Sequence, residues 1–170
     1  MNGASMDLGL FLIRVTVGIT MCVHGINKCF GPGGITGTAS WFESVGLRPG
    51  LLHARTAVVT ELVSGLLVMS GLAVPLAAVM ITGTMGVAAS TDHRGKGFFV
   101  FKGGWEYVAV LALLAIALAS TGPGGWSLER SLGWEFHGIF WGCTAGVVGA
   151  LATIIASASA RARERDNPHR

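Results

Sequence analysis

The sequence predicts an all-α integral membrane protein: a four-helix transmembrane bundle followed by a fifth transmembrane helix. Three observations predict it. Of 170 residues, 51% are apolar and only 12% charged, about half the ~25% charged fraction of a soluble domain. The apolar residues gather into runs close to the ~20 residues that cross a ~30 Å hydrocarbon core. The 26 glycines follow no three-residue period, which excludes a collagen-like chain, and inside apolar runs they read as helix-packing positions. A chain this apolar is also excluded from intrinsic disorder, because too much of its surface would have to stay solvated.

The first span runs from Leu8 to Cys29, interrupted by Arg14 and His24, with Lys28 at its inner end. It is too long for a signal-peptide core and no small-x-small cleavage site follows, so it is expected to be retained. After it, Thr38 can cap a short interfacial helix that turns Trp41, Phe42 and Val45 toward lipid and Glu43 toward water. The run Ala54 to Ser90 would be ~55 Å long as one helix, so it must be two. Gly71 and Pro75 bracket the expected hairpin at Gly71 to Val74. Gly97 to Gly104 holds Phe98, Phe99, Val100 and Phe101 between Lys96 and Lys102. That segment is too short to span and should dip into the interface or cover the end of the bundle. The fourth span, Trp105 to Thr121, is closed by Gly122-Pro123-Gly124-Gly125. The fifth, Phe136 to Ala156, begins in the aromatic cluster Trp134, Phe136, Phe140 and Trp141, which suits the headgroup level. Along it Gly138, Gly142, Gly146 and Ala150 recur every fourth residue, a face that should bury against a helix of this chain or of a partner. Three units result: a bundle over 1–133, an additional helix over 134–157 and a basic cytoplasmic tail over 158–170.

Orientation follows from the cations. Five spans put Lys28, Arg48, Arg55, Arg94, Lys96, Lys102, Arg161, Arg163, Arg165 and Arg170 on one side, only Arg130 on the other, and Arg14 within the first span. The positive-inside rule then leaves the amino terminus outside and the carboxyl terminus in the cytoplasm. The net charge of +3 is thus a topology signal, and nucleic acid is not an expected partner, since only the short tail concentrates positive charge. Cys22 and Cys29 lie ~10 Å apart on one helix, beyond the ~7 Å that a disulfide bridges. With Cys143 the count is odd and no Cys-x-x-Cys occurs, so the cysteines read as small packing residues.

An ionisable group inside the hydrocarbon costs ~2.5–3.5 kcal/mol and tends to mark function. Arg14, His24 and Glu61 are such groups. Counting up from Lys28 and Arg55 puts His24 at ~6 Å and Glu61 at ~9 Å above the inner boundary, a similar level that allows a contact between them. Arg14 lies ~15 Å farther out and needs a register shift or water to reach Glu61. Lys28, Asp92, His93, Glu106 and Tyr107 fall near the same inner end. A haem held by two histidines is disfavoured because His137 falls at the outer end and His93 in or beside a loop. A metal site from His24, His93 and Glu106 is disfavoured because no helix carries a ligand pair at i, i+3 or i, i+4.

Arg14, then His24-Gly25-x-x-Lys28-x-Phe30-Gly31, Gly46-Leu47-x-Pro49, Glu61, Gly97-Phe98, Gly104-x-Glu106-Tyr107 and Gly122-Pro123-Gly124 together resemble the DoxX family of small bacterial membrane proteins, over about Asp7 to Gly133. The resemblance implies a four-helix membrane bundle and oxidoreductase chemistry, linked in some members to quinone-dependent sulfur oxidation or redox stress. It makes Arg14, His24, Lys28, Glu61, Glu106 and Tyr107 ligand-binding candidates without an assigned reaction. The fifth span and the basic tail depart from the usual four-helix pattern. The function expected is a membrane oxidoreductase component that binds a quinone-like, lipid-soluble redox molecule near the inner leaflet. The alternative is a non-catalytic anchor or assembly subunit of a redox complex, or a homo-oligomer, that docks through the Gly138 to Ala150 face. A transporter is disfavoured, since the chain shows one central break and not a broken helix in each of two halves.

Overall fold

The computed structural model describes residues 3–165, and the backbone alone over 159–165. Seven α-helices follow one another: α1 (Gly3–Phe30), α2 (Gly34–Ser44), α3 (Gly50–Ser70), α4 (Val74–Ser90), α5 (Glu106–Thr121), α6 (Leu128–Leu132) and α7 (Ile139–Arg165), with one 3-10 turn at Val100–Lys102. No strand occurs among the described residues. Three helices are long and apolar enough to cross a membrane: α1, α3 and the Ile139–Ala158 part of α7. The other two expected spans, α4 and α5, are equally apolar but have 17 and 16 residues, ~25 Å of helix each. Gly71 and Pro75 limit α4 at its start, and Gly103-Gly104 and Gly122-Pro123 bracket α5.

α1 lies along α3, α4 along α5 and α7, and α7 also along α5. The α1–α3 crossing needs glycine. A Cβ on Gly18 would stand 2.7 Å from the Gly65 carbonyl oxygen, and one on Gly65 would stand 2.7 Å from Cys22 Sγ. Such distances leave no room for any side chain, so van der Waals contact between backbones replaces side-chain packing there. The α3–α4 hairpin turns on Gly71, in the left-handed region at φ 66°, and on Ala73 at φ 48°. Pro75 stands in the first turn of α4, where its missing N–H costs nothing. The main core between the helices is centred on Val17, Met21, Val68, Ile81, Leu111, Ala115 and Leu118, and a smaller cluster of Phe42, Leu47 and Ala54 packs beneath α2.

Several local expectations change. Helix α1 begins at Gly3, so its first turns continue past the apolar run. Helix α2 begins at Gly34, which puts Thr38 inside it; the Thr38 hydroxyl donates to the Lys28 carbonyl at 2.9 Å and ties α2 to α1 instead of capping. Phe42 does not face lipid. It is 7% exposed and packs with Leu47 and Ala54, while its neighbour Trp41 is 42% exposed. The carboxylate of Glu43 accepts from Gly50 N–H at 3.0 Å, satisfying an open donor of the first turn of α3. The expected tail from 158 is helical to Arg165, because nothing in that polar stretch breaks α7; residues 166–170 lie outside the described residues, as do the side chains of Arg161, Arg163 and Arg165. The short α6 was not expected. Its N-cap Ser127 accepts from Arg130 N–H at 3.3 Å.

Candidate functional site

The polar groups inside the bundle divide between its two ends. At one end α1 presents Lys28 to Glu61 of α3, with Nζ 2.6 Å from Oε1 and 2.8 Å from Oε2. Helix geometry explains the reach. Lys28 stands in the last turn of α1, Glu61 midway along α3, and the two helices run antiparallel in close contact. The ammonium end reaches along the helix to a carboxylate that is itself almost wholly buried, at 3% side-chain exposure. Both carboxylate oxygens are thereby satisfied, which a buried anion requires. One turn before Lys28, His24 Nε2 stands 3.2 Å from the hydroxyl of Tyr107 in the first turn of α5, and this contact joins α1 to α5.

These four side chains line one cavity of about 600 Å³. Its remaining wall is mostly apolar, from Phe42, Leu47, Val79, Met85, Val87 and Val108, with His53, Thr56, Thr60, Thr84, Thr91, Asp92 and His93 adding polar points. A largely apolar cavity of roughly 300–1,000 Å³ with a few convergent polar groups is the usual form of a small-molecule site. His93 is anchored by its Nδ1 at 2.6 Å from the Gly103 carbonyl, and Asp92 by Lys96 at 3.3 Å, so the loop after α4 forms a fixed rim.

The structure therefore brings together His24, Lys28, Glu61 and Tyr107, but not in the expected pairs. Glu61 pairs with Lys28, and His24 turns to Tyr107, because the last turn of α1 faces α3 while His24 lies on the side nearer α5. Glu106 is outside the cavity wall; its Oε2 accepts from Val100 N–H at 3.0 Å and holds the 3-10 turn. Phe98, Phe99 and Phe101 are exposed and none lines the cavity, so the aromatic loop does not cap it.

Arg14 belongs to the opposite end, far from Glu61. It is 1% exposed and donates from Nη1 to the Met69 carbonyl at 3.1 Å and from Nη2 to the Trp126 carbonyl. Glu129 of α6, also 1% exposed, supplies the nearby negative charge and accepts from Val74 N–H at 2.7 Å. Burial raises the Glu129 carboxyl above its ordinary pKa, against the lowering effect of the Val74 N–H, His137 and Arg14. Asp7 completes this end by accepting from Gly125 N–H at 2.6 Å.

The small-residue face of α7 is used within the chain. A Cβ on Gly142 would meet Ser120 and the Ile116 carbonyl of α5, and one on Gly149 would meet Thr82 of α4 at 2.7 Å. Gly146 lies against Ile116, whereas a Cβ on Gly138 would meet nothing within 4 Å and Ala150 is exposed. The packing stripe is thus Gly142, Ala145, Gly146 and Gly149, a 3-4 alternation and not the strict fourfold repeat.

Two groups escaped the sequence reading. His53 stands eight residues before Glu61 on α3, with Ala57 between them, and that i, i+4, i+8 row could have revealed it as a wall residue. Glu129 sits in a loop-like Trp-Ser-Leu-Glu-Arg stretch, where only the need of the lone intramembrane Arg14 for an acid pointed to it.

Comparison with known proteins bears on the same segment. The DoxX family model matches residues 9–94, which hold Arg14, His24, Lys28 and Glu61. The chain is 35% identical over 118 residues to the Bacillus subtilis (strain 168) protein named "Putative oxidoreductase CatD", covering 69% of this chain and 82% of that protein. It is 32% identical over 130 residues to an uncharacterized membrane protein of Mycobacterium tuberculosis, covering 71% and 78%. No solved structure matches the chain.

Proposed function

The chain belongs to the DoxX family, and from that membership and its cavity we propose a membrane oxidoreductase component that binds the ring of a quinone-like, lipid-soluble redox molecule. One observation carries the reading: a Lys28–Glu61 pair, its carboxylate buried, and a His24–Tyr107 pair face the same largely apolar cavity. Quinone carbonyls accept hydrogen bonds, and Lys28, Tyr107 and His24 are the donors available to them. Reduction of such a ring takes up protons with its electrons. Glu61, held beside Lys28, and His24, held beside Tyr107, are groups that can give and recover a proton at the cavity wall. The electrons must come from a separate donor, as expected of one component in a chain of carriers.

The relative named as an oxidoreductase supports the redox class. The Lys28 end also gathers Arg48, Arg55, Arg94, Lys96 and Lys102, so under the positive-inside rule we place that end at the cytoplasmic face of the inner membrane, with the amino terminus outside. The rival reading, an anchor subunit that docks through the glycine face of α7, is less favoured, because Gly142 and Gly146 of that face lie against α5.

The test is binding of menadione, a tail-less naphthoquinone, to the purified full chain, read as thermal stabilisation and as an affinity. Binding that weakens by about tenfold or more in Glu61→Gln and in His24→Phe is expected. Absence of menadione binding to the unaltered chain, together with co-purification of a redox subunit, would instead establish the anchor reading.

A further inference from the structure

The cavity has an apolar continuation. Met85 and Val108 line it, and the same two side chains line a second, almost wholly apolar groove of about 360 Å³ between α4, α5 and α7. The outer wall of that groove is Ala109 and Ala112 of α5 with Ala150 and Ile154 of α7; Ile154 is 62% exposed, so the groove opens on the lateral surface of the bundle. Met85 separates the two spaces. It is an unbranched side chain with three rotatable bonds, the type that can swing aside without disturbing its helix.

A cavity of about 600 Å³ encloses a ring headgroup and the beginning of a tail, within the usual ~300–1,000 Å³ of a small-molecule site. A polyprenyl tail has to leave it. The seam between α1 and α5 is crossed by the His24–Tyr107 contact, and an alkyl chain lying there would separate two polar groups that then have no partner. The α4–α5–α7 groove offers alanine, methionine, valine and isoleucine surface, and its Thr153 hydroxyl is already satisfied by the Gly149 carbonyl at 2.9 Å. Resting on the reading of the cavity as a headgroup site, we infer that this groove carries the polyprenyl tail of the bound molecule out to the lipid, past Met85. Its walls come from α4, α5 and α7, and the last two lie beyond the 9–94 family match.

Lipid is as apolar as the groove, so the groove adds little transfer energy and acts by clearance. Filling it must therefore exclude tailed ligands while sparing tail-less ones. Menadione and its tetraprenyl counterpart share one ring and differ only in the tail. In Ala112→Phe and Ala150→Phe, the dissociation constant of the tetraprenyl form should rise by about tenfold or more while that of menadione stays within about twofold. Val110→Phe, a similar enlargement at a half-exposed position of α5 outside the groove, should change neither. Retained menadione binding certifies the fold of each variant, and Ala112→Leu and Ala150→Leu take over where a phenylalanine is not tolerated. Unchanged tetraprenyl affinity in both groove variants overturns the tail groove and leaves the headgroup site standing. Failure of the unaltered chain to bind either naphthoquinone overturns the headgroup site and the groove with it.

Discussion

The two ends of the bundle each hold a cation, buried at Arg14 and partly buried at Lys28, and they use it differently. At the Arg14 end the guanidinium is spent on main-chain carbonyls of the last turn of α3 and the α5–α6 loop, with Glu129 near it, and Arg14 lines neither the cavity nor the groove. At the Lys28 end the ammonium is spent on one carboxylate, and both groups border about 600 Å³ of space. A buried charge in a membrane bundle is therefore not by itself a site. Arg14 fastens three chain segments that would otherwise leave carbonyls unpaired, whereas Lys28 and Glu61 face a volume that a ligand can enter.

The contrast can be broken most forcefully at Arg14. Arg14→Met should cost about 3–5 kcal/mol, because two buried carbonyls and Glu129 lose their cation together. Thermal unfolding of the purified protein reads this, and the surviving folded fraction should bind menadione normally; a stable variant with impaired binding would merge the two ends into one site. Next in size is Gly71→Ala. Its φ of 66° disfavours a side chain, and the added Cβ would meet Arg14 and Ser127. A loss of about 1–3 kcal/mol is expected, again without a change in binding.

Lys28→Met probes the other end. Menadione affinity should fall by about tenfold or more. Adding Glu61→Gln should restore part of the stability, by removing the unpaired anion, but not the binding. Recovery of binding in the double variant would show that the pair only supports the fold.

A smaller effect concerns pH. Because burial raises the Glu129 carboxyl, its ionisation costs more in the folded chain than in the unfolded one. The stability it contributes is full below the ordinary carboxyl range and is lost as pH rises through the raised folded value. A pH series of unfolding midpoints should show this decline, and Glu129→Gln should flatten it; an unflattened profile would assign the decline to another group. The smallest change is expected from Glu106→Gln. It weakens one exposed hydrogen bond to Val100 N–H, worth about 0.5–1.5 kcal/mol, and should leave menadione affinity within about twofold.

The sequence by itself determined the all-helical membrane class, the break at Gly71 and the level at which His24, Lys28 and Glu61 lie, because run length, turn residues and rise per residue are local quantities. Rotation about each helix axis is not local. It is set by which neighbours interlock, here Gly18 against Gly65 and Gly149 against Thr82. So only the tertiary structure decided that Glu61 meets Lys28 and not His24, that Phe42 turns inward, and that the α7 stripe closes on its own chain. The pairing of Arg14 with the α5–α6 loop was equally out of reach, since it joins residues more than one hundred positions apart, and the acid near it, Glu129, sits on a five-residue helix that no periodicity announces.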